Sequence, residues 1–264
     1  MNINRLWQRK YLINTICIAA ISTVVFHPRA SLAQQDEPPQ WEYGGAFNPT
    51  HWDELSSEFE SCKLGRDQSP VNVNLTDEGE PAEIEFNYQP TAVEVVDIAN
   101  TVRVEGYESD NTVKIEGEVY RLVQFHFHTP SEHQIDNESS AMELHLVHQN
   151  DAGELAVVGV MMEPGEENAT IASIWDAIPD KNKADGDNTI TIDAASLLPE
   201  DRTFVSYAGS LTTPPCSEGV SWNLMLEPIE VSLEQIKTFE SFHTYNARPI
   251  QPLNGRSIEL HPQN

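Results

Sequence analysis

Basic residues are scarce in this 264-residue chain: 15 Lys and Arg stand against 42 Asp and Glu, a formal net charge of −27. Residues 1–33 hold four of the basic residues and no acid, so the rest of the chain carries 11 − 42 = −31. A charge of that sign and size argues against nucleic acid or an anionic membrane as a partner. It leaves two readings open, a solvated surface that resists aggregation and an adaptation to saline or alkaline surroundings. No repeat of fixed period is visible, which sets the repeat architectures aside. The apolar run Tyr11–Phe26 is short for a membrane span. Before it, MNINRLWQRK carries Arg5, Arg9 and Lys10. After it, HPRASLA offers Ser31 and Ala33 at the −3 and −1 positions of a cut after Ala33. A basic head, an apolar middle and a small-residue exit describe a secretory signal peptide over 1–33, with an uncleaved anchor as the competing reading. The chain is therefore expected to be exported, with no stable membrane insertion once cut. Periplasm, extracellular space and thylakoid lumen all stay open.

Cysteine is equally scarce, with three. Cys17 lies in the leader. Cys62 and Cys216 remain as an even pair in an oxidising setting, where a disulfide is expected and two buried free thiols are the alternative. Closing so long a loop stabilises by roughly 5 kcal/mol on the disputed chain-entropy model.

Helical patterns are few. The best are NATIASIWDAI (168–178) and SLEQIKTFESF (232–242), the second with Ser232 and Gln235 placed for a capping box. Alternation of β-branched or aromatic residues with polar ones dominates instead. It runs through 82–88, 92–98, 101–106, 112–128, 142–148, 154–162 and 220–231, and predicts strands. Residues 34–40, QQDEPPQ, read as a disordered lead-in. Residues 41–264 then read as one mainly β domain, a large central sheet with a few short helices outside it. Seventeen prolines suit long connecting loops.

The densest chemistry lies in QFHFHTPSEH (124–133). His126 and His128 are two apart on a predicted strand, so both face one way, with Gln124 beside them. A second strand, AMELHLVH, puts Glu143, His145 and Val147 on one face. If the two strands are neighbours, three imidazoles converge. Three histidines with an open fourth position make a catalytic zinc arrangement, whereas structural zinc favours cysteine. Imidazole also suits copper, nickel and iron, and a bare His-x-His pair also fits a hydrogen-bonded sheet face. Gln124 and Glu143 stand where ligand histidines need partners for their second nitrogen.

With these residues in place, the chain resembles the α-class carbonic anhydrases, in particular exported bacterial ones. The likeness runs through WEYGG (41–45), DQSPVNV (67–73), QFHFHTPSEH, ELHLVH (143–148), LAVVGV (155–160), SYAGSLTTPPCSEGVSWNL (206–224) and NARPIQPLNGR (246–256). It implies a mostly antiparallel twisted sheet and reversible zinc-dependent hydration of CO2 to bicarbonate. It assigns His126, His128 and His145 as Zn2+ ligands and Gln124 and Glu143 as partners of His126 and His145. For His128 the family expectation is a backbone carbonyl. Thr212 matches the threonine that accepts from zinc-bound hydroxide, and Glu132 the carboxylate that takes the threonine's own proton. A hydroxyl has one donor, so this arrangement aims the hydroxide lone pair at CO2. Val147, Val157, Leu211 and Trp222 match the apolar CO2 wall, and Thr213 a neighbour that contacts solvent and inhibitors. Zinc brings the pKa of bound water to about 7, a value taken from carbonic anhydrase itself. The cysteine pair also falls where exported relatives place theirs. Weak esterase activity is a secondary expectation, and a homodimer stays open.

One family position departs. The histidine that carries protons out of the fastest members aligns with Asn100 in VVDIANTVRV (95–104), and an amide does not titrate near neutral pH. Nearby polar positions are changed to Ile98 and Arg103, while Tyr43 and Thr213 are retained. Slow proton export, helped by imidazole buffers, is the expectation unless His51 or His243 substitutes; His133 and His148 are read as structural. A catalytically silent binding protein and a zinc scavenger are the alternatives to an enzyme.

Overall fold

The computed structural model describes residues 39–74, 82–107, 110–179 and 188–263. The expected leader (1–33) and most of the expected lead-in (34–38) lie outside the described residues. Thirteen strands are described: β1 Asn72–Val73, β2 Ile84–Asn87, β3 Thr91–Ile98, β4 Thr101–Glu105, β5 Thr112–Ile115, β6 Glu118–His128, β7 Gln134–Ile135, β8 Met142–Gln149, β9 Leu155–Pro164, β10 Thr189–Ile192, β11 Phe204–Ser210, β12 Glu218–Val231 and β13 Glu259–His261. Four α-helices are described with them: α1 Trp52–Leu55, α2 Ser61–Leu64, α3 Ala169–Asp176 and α4 Leu233–Phe242.

Eleven of these strands form one twisted, mixed sheet in the order β10-β3-β4-β6-β8-β9-β12-β11-β13, with β5 beside the first half of β6 and β2 beside β5. Every pairing in it is antiparallel except β9 with β12. The alternating segments form the strands expected of them. The long one, 112–128, divides into β5 and β6 at Glu116-Gly117, whose φ values of +50° and +88° suit a two-residue hairpin turn. The strand β10 alternates Thr and Ile over only four residues, and β11 and β13 carry no long alternation; all three find their places by pairing. Pro228 sits inside β12 where the register shifts between Met225 and Ile229, so its missing N–H interrupts no regular ladder.

The sheet's two faces have different jobs. On one, Leu122, Phe125, Phe127, Leu144, Leu146, Val158 and Val160 join the main core. The helices α3 and α4 cover this face, with Trp175 stacked on Phe239 at 5.4 Å and Phe127 edge-on to Trp175 at 4.8 Å. Asn168 caps α3 through its side chain, and Ser232 with Gln235 forms the complete capping box of α4. A smaller core on the other face contains Val157, Met161, Tyr207, Trp222 and Leu224.

A bulge decides which residues of β6 reach that second face. Leu122 pairs with His148 and Gln124 with Val147, so Val123 has no partner on β8. The extra residue reverses the alternation. Leu122 therefore shares the core face with Phe125 and Phe127, while Gln124, His126 and His128 point the other way. The short parallel pair β1–β7 closes the loop that follows: Asp136 N–H donates to Val73 O at 2.8 Å, holding 129–136 against the DQSPVNV segment. Among the described residues no helix is long and apolar enough to cross a membrane.

Candidate active site

Register brings the chemistry together. Two successive same-face rungs cross β4, β6, β8, β9 and β12. One reads Arg103–His126–His145–Gly159–Leu224 and the other Glu105–Gln124–Val147–Val157–Trp222. His128 lies on the next rung, opposite Glu143. The rings of His126, His128 and His145 meet with centroids 4.5–5.3 Å apart, and one nitrogen from each lies within 4.8 Å of the others. Gly159 makes room here. A Cβ on it would come within 2.6 Å of Leu224 Cδ1 and 3.2 Å of Glu143 Oε1.

Each ring has one nitrogen already engaged. His126 Nδ1 donates to Gln124 Oε1 at 2.9 Å, His128 Nδ1 to the backbone oxygen of Asn246 at 2.6 Å, and His145 Nε2 to Glu143 Oε1 at 2.8 Å. That leaves His126 Nε2, His128 Nε2 and His145 Nδ1 as the convergent set. His128 Nε2 is buried with no hydrogen-bond partner. A buried polar atom without a partner is costly, and three neutral imidazole nitrogens aimed at one point form the donor set that zinc takes. Burial pushes all three histidines below their ordinary pKa, His128 to about 4, so they are unprotonated at neutral pH, as ligands must be. The residues present therefore fit a zinc ion.

Glu143 is saturated. Its Oε2 accepts from the backbone N–H groups of Glu132 and His133, and its Oε1 from His145 Nε2 and His133 Nδ1, all at 2.7–2.8 Å. Burial raises its pKa, but His133 and His145 outweigh that and hold the carboxyl well below its ordinary range. His133, Glu143 and His145 also lie close enough together to suggest a second metal site. Their facing atoms are already spent on one another, and His133 Nε2 is bonded to Tyr207 Oη at 2.6 Å. This trio is a buttress. His148 turns to the opposite face and bonds Tyr88 Oη at 2.7 Å, so both histidines read as structural sit in hydrogen-bonded cores.

Glu132 lies under the triad, its Oε2 3.6 Å from His128 Nε2 and 3.9 Å from His145 Nδ1. Its Oε1 accepts from Arg248 N–H at 2.8 Å. Burial pushes the carboxyl up to about 7 against the downward pull of His145, Thr212 and the Arg248 N–H. Glu132 Oε2 is buried without a hydrogen-bond partner, and the nearby Thr212 hydroxyl enters only as one of the groups that pull the carboxyl down. Thr212 itself is 5% exposed. Its loop is closed by Leu211 N–H to Ser217 O at 3.0 Å and Cys216 N–H to Thr213 O at 2.8 Å.

The Cys62–Cys216 disulfide ties that loop to α2, with Cα atoms 5.0 Å apart. Arg248, 2% exposed, reinforces the junction through Gln68 Oε1, Ser69 O and Cys62 O.

A cavity of about 230 Å³ opens on His126 and His128, lined also by residues that include Tyr43, Asn100, Arg103, Gln124 and Thr213. Val147, Val157, Leu211 and Trp222 gather in the second core, Val157 between the other two strand residues on its rung. Asn100 stands at the cavity. His51 is exposed beside Glu54, and His243 sits in an adjoining pocket with its Nε2 3.0 Å from Asp97 Oδ1. Sequence reasoning assigned no role to Asn246, Gly159, Tyr207 or Arg248. All four fall inside the quoted family segments, but their contacts are made across the sheet and leave no local pattern.

Residues 47–262 match the family model described as eukaryotic-type carbonic anhydrase. The chain is 42% identical over 224 residues to a carbonic anhydrase of Nostoc sp., covering 83% of this chain and 84% of that protein. It is 38% identical over 227 residues to a carbonic anhydrase of Pectobacterium atrosepticum, covering 86% and 93%. The α-carbonic anhydrase of Thermovibrio ammonificans, solved with sulfanilamide, superposes with a TM-score of 0.80 at 38% identity, covering 84% of this chain and all of that one. Sequence, fold and the span they share place this chain among the enzymes of the eukaryotic-type, or α-class, carbonic anhydrase family.

Proposed function

We propose that this chain catalyses the reversible hydration of CO2 to bicarbonate and a proton as a zinc enzyme. One observation carries the reading: three unprotonated imidazole nitrogens converge beside a rung of apolar side chains, with every outer nitrogen already held. His126, His128 and His145 would hold the zinc. When bound, zinc lowers the pKa of water to about 7 and so supplies a nucleophile at neutral pH, a value that carbonic anhydrase itself exemplifies.

The protein's own residues do the rest. Gln124, the Asn246 carbonyl and Glu143 fix the ring orientations and tautomers. Thr212, giving its one proton to Glu132, is left to accept through Oγ1, which orients the attacking oxygen. Val147, Val157, Leu211 and Trp222 offer CO2 a surface where a weakly hydrogen-bonding gas loses nothing by leaving water. Asn100 holds no titratable proton at the cavity, so the proton released in each turnover leaves to buffer. The disulfide, the bacterial relatives and the leader-like first 33 residues support export. CO2 and bicarbonate are the partners.

Stopped-flow CO2 hydration tests the reading, with zinc-loaded protein, after chelation, and after zinc is restored. Activity should vanish on chelation and return with zinc. Zinc-loaded protein without detectable hydration would instead indicate a binding protein or a zinc scavenger.

A further inference from the structure

Arg103 lies on the rung of His126, on the neighbouring antiparallel strand. Directly opposed side chains of this kind have Cβ atoms about 5 Å apart. Its side chain lines the cavity with Gln124, His126, His128 and Thr213. One edge of the guanidinium is anchored, Nη2 to Glu105 Oε2 at 2.6 Å. Its Nε is buried and has no hydrogen-bond partner. A cation held at the cavity of a chain with a net charge of −27 runs against the composition of the whole molecule. The two rungs also place Arg103 and the apolar pair Val157 and Trp222 on opposite sides of the three histidines.

We infer that Arg103 forms an anion subsite for bicarbonate, opposite the apolar surface that receives CO2. The inference rests on the proposed CO2–bicarbonate reaction and names the residue that recognises its charged partner. Bicarbonate carries acceptor oxygens in one plane, and guanidinium is the side chain whose fixed donors match that geometry. CO2 has no charge to offer it. An acceptor oxygen arriving at the cavity would meet the part of the guanidinium left open, the side chain being 35% exposed. Glu105 opposes the anion: it anchors the side chain and neutralises part of its charge. Arg103 is therefore a specificity residue that strengthens binding of bicarbonate and other small anions without being needed for CO2 to bind.

The test uses zinc-loaded protein and two variants, with Michaelis constants for CO2 and bicarbonate and the thiocyanate dissociation constant from calorimetry. Arg103→Gln should raise the bicarbonate KM and the thiocyanate constant about three- to tenfold. That is less than a fully buried charge-assisted hydrogen bond would give, because the side chain is partly exposed and shared with Glu105. The CO2 KM should move less than twofold. Glu105→Gln should tighten both anions, and the effect of either variant should shrink as ionic strength rises. Equal rises in both KM values, or an unchanged thiocyanate constant in Arg103→Gln, would overturn the inference. If the wild-type protein hydrates no CO2, the functional reading fails first, while the thiocyanate titration still reports on Arg103.

Discussion

His128 donates its Nδ1 proton to the backbone oxygen of Asn246, 2.6 Å away in space and 118 residues away in sequence. The Asn246 side chain keeps that carbonyl in place. Its Oδ1 accepts from Thr129 N–H at 2.7 Å, and its Nδ2 donates to Asn100 O and Phe127 O at 2.9 and 2.8 Å. One asparagine thus joins the end of β6, the turn before β4 and the His128 ring. Asn246→Ala strips partners from buried backbone groups and should cost about 2 kcal/mol or more, read from the denaturant midpoint. It should also weaken zinc binding about tenfold, read by chelator competition, because the His128 ring loses its fixed orientation. Unchanged zinc affinity would show that the carbonyl is held by other means.

Thr212→Val keeps the shape of the side chain and removes its oxygen. On the proposed reaction, Glu132 then loses the nearby Thr212 hydroxyl and the attacking oxygen loses its orienting acceptor. The expected result is a fall of about 10²-fold in kcat/KM for CO2, the scale of a misoriented reacting group. Zinc content and thermal midpoint should stay close to wild type. A fall matched by loss of zinc would place the effect on metal binding instead.

Asn100→His restores a titratable group at the cavity. In wild-type protein, hydration at low buffer concentration should rise as imidazole is added, because buffer carries the proton away. In Asn100→His that dependence should weaken and the maximal rate in dilute buffer should increase. Wild-type rates that stay flat with imidazole would mean that another group, with His243 the nearest histidine in the adjoining pocket, already performs the export.

The disulfide joins α2 to the loop that carries Thr212. Cys62→Ser with Cys216→Ser opens a link spanning 154 residues and should lower stability by about 2–5 kcal/mol, measured by chemical denaturation. Zinc affinity should change less than twofold, since the disulfide packs against Trp52 and Phe59. A reductant should lower the wild-type midpoint toward that of the double variant and leave the variant's own midpoint unchanged.

Much was legible in the sequence because it is local. Alternation along 142–149 placed Glu143, His145 and Val147 on one face and Leu144 and Leu146 on the other, since side chains on a strand point alternately up and down. The capping box at Ser232 and Gln235 is likewise written within four residues. The long alternation of 112–128 was legible as strand, but not as two strands with a bulge, because the extra residue at Val123 is defined only by its missing partner on β8.

What tertiary structure decided is the pairing. Three histidines on two strands become one site only when the register sets His126 against His145. The same register puts Gly159 where a side chain would collide, Arg103 beside the triad, and Val157 and Trp222 across from it. The Asn246 carbonyl, the Tyr207–His133–Glu143 chain and the Arg248 junction also join residues distant along the chain. Sequence by itself determined which side chains were available and, away from the bulge at Val123, which face of its strand each would occupy. Strand order and register decided which of them would meet, because backbone hydrogen bonds between strands depend on positions far apart in the chain and leave no periodic mark within either strand.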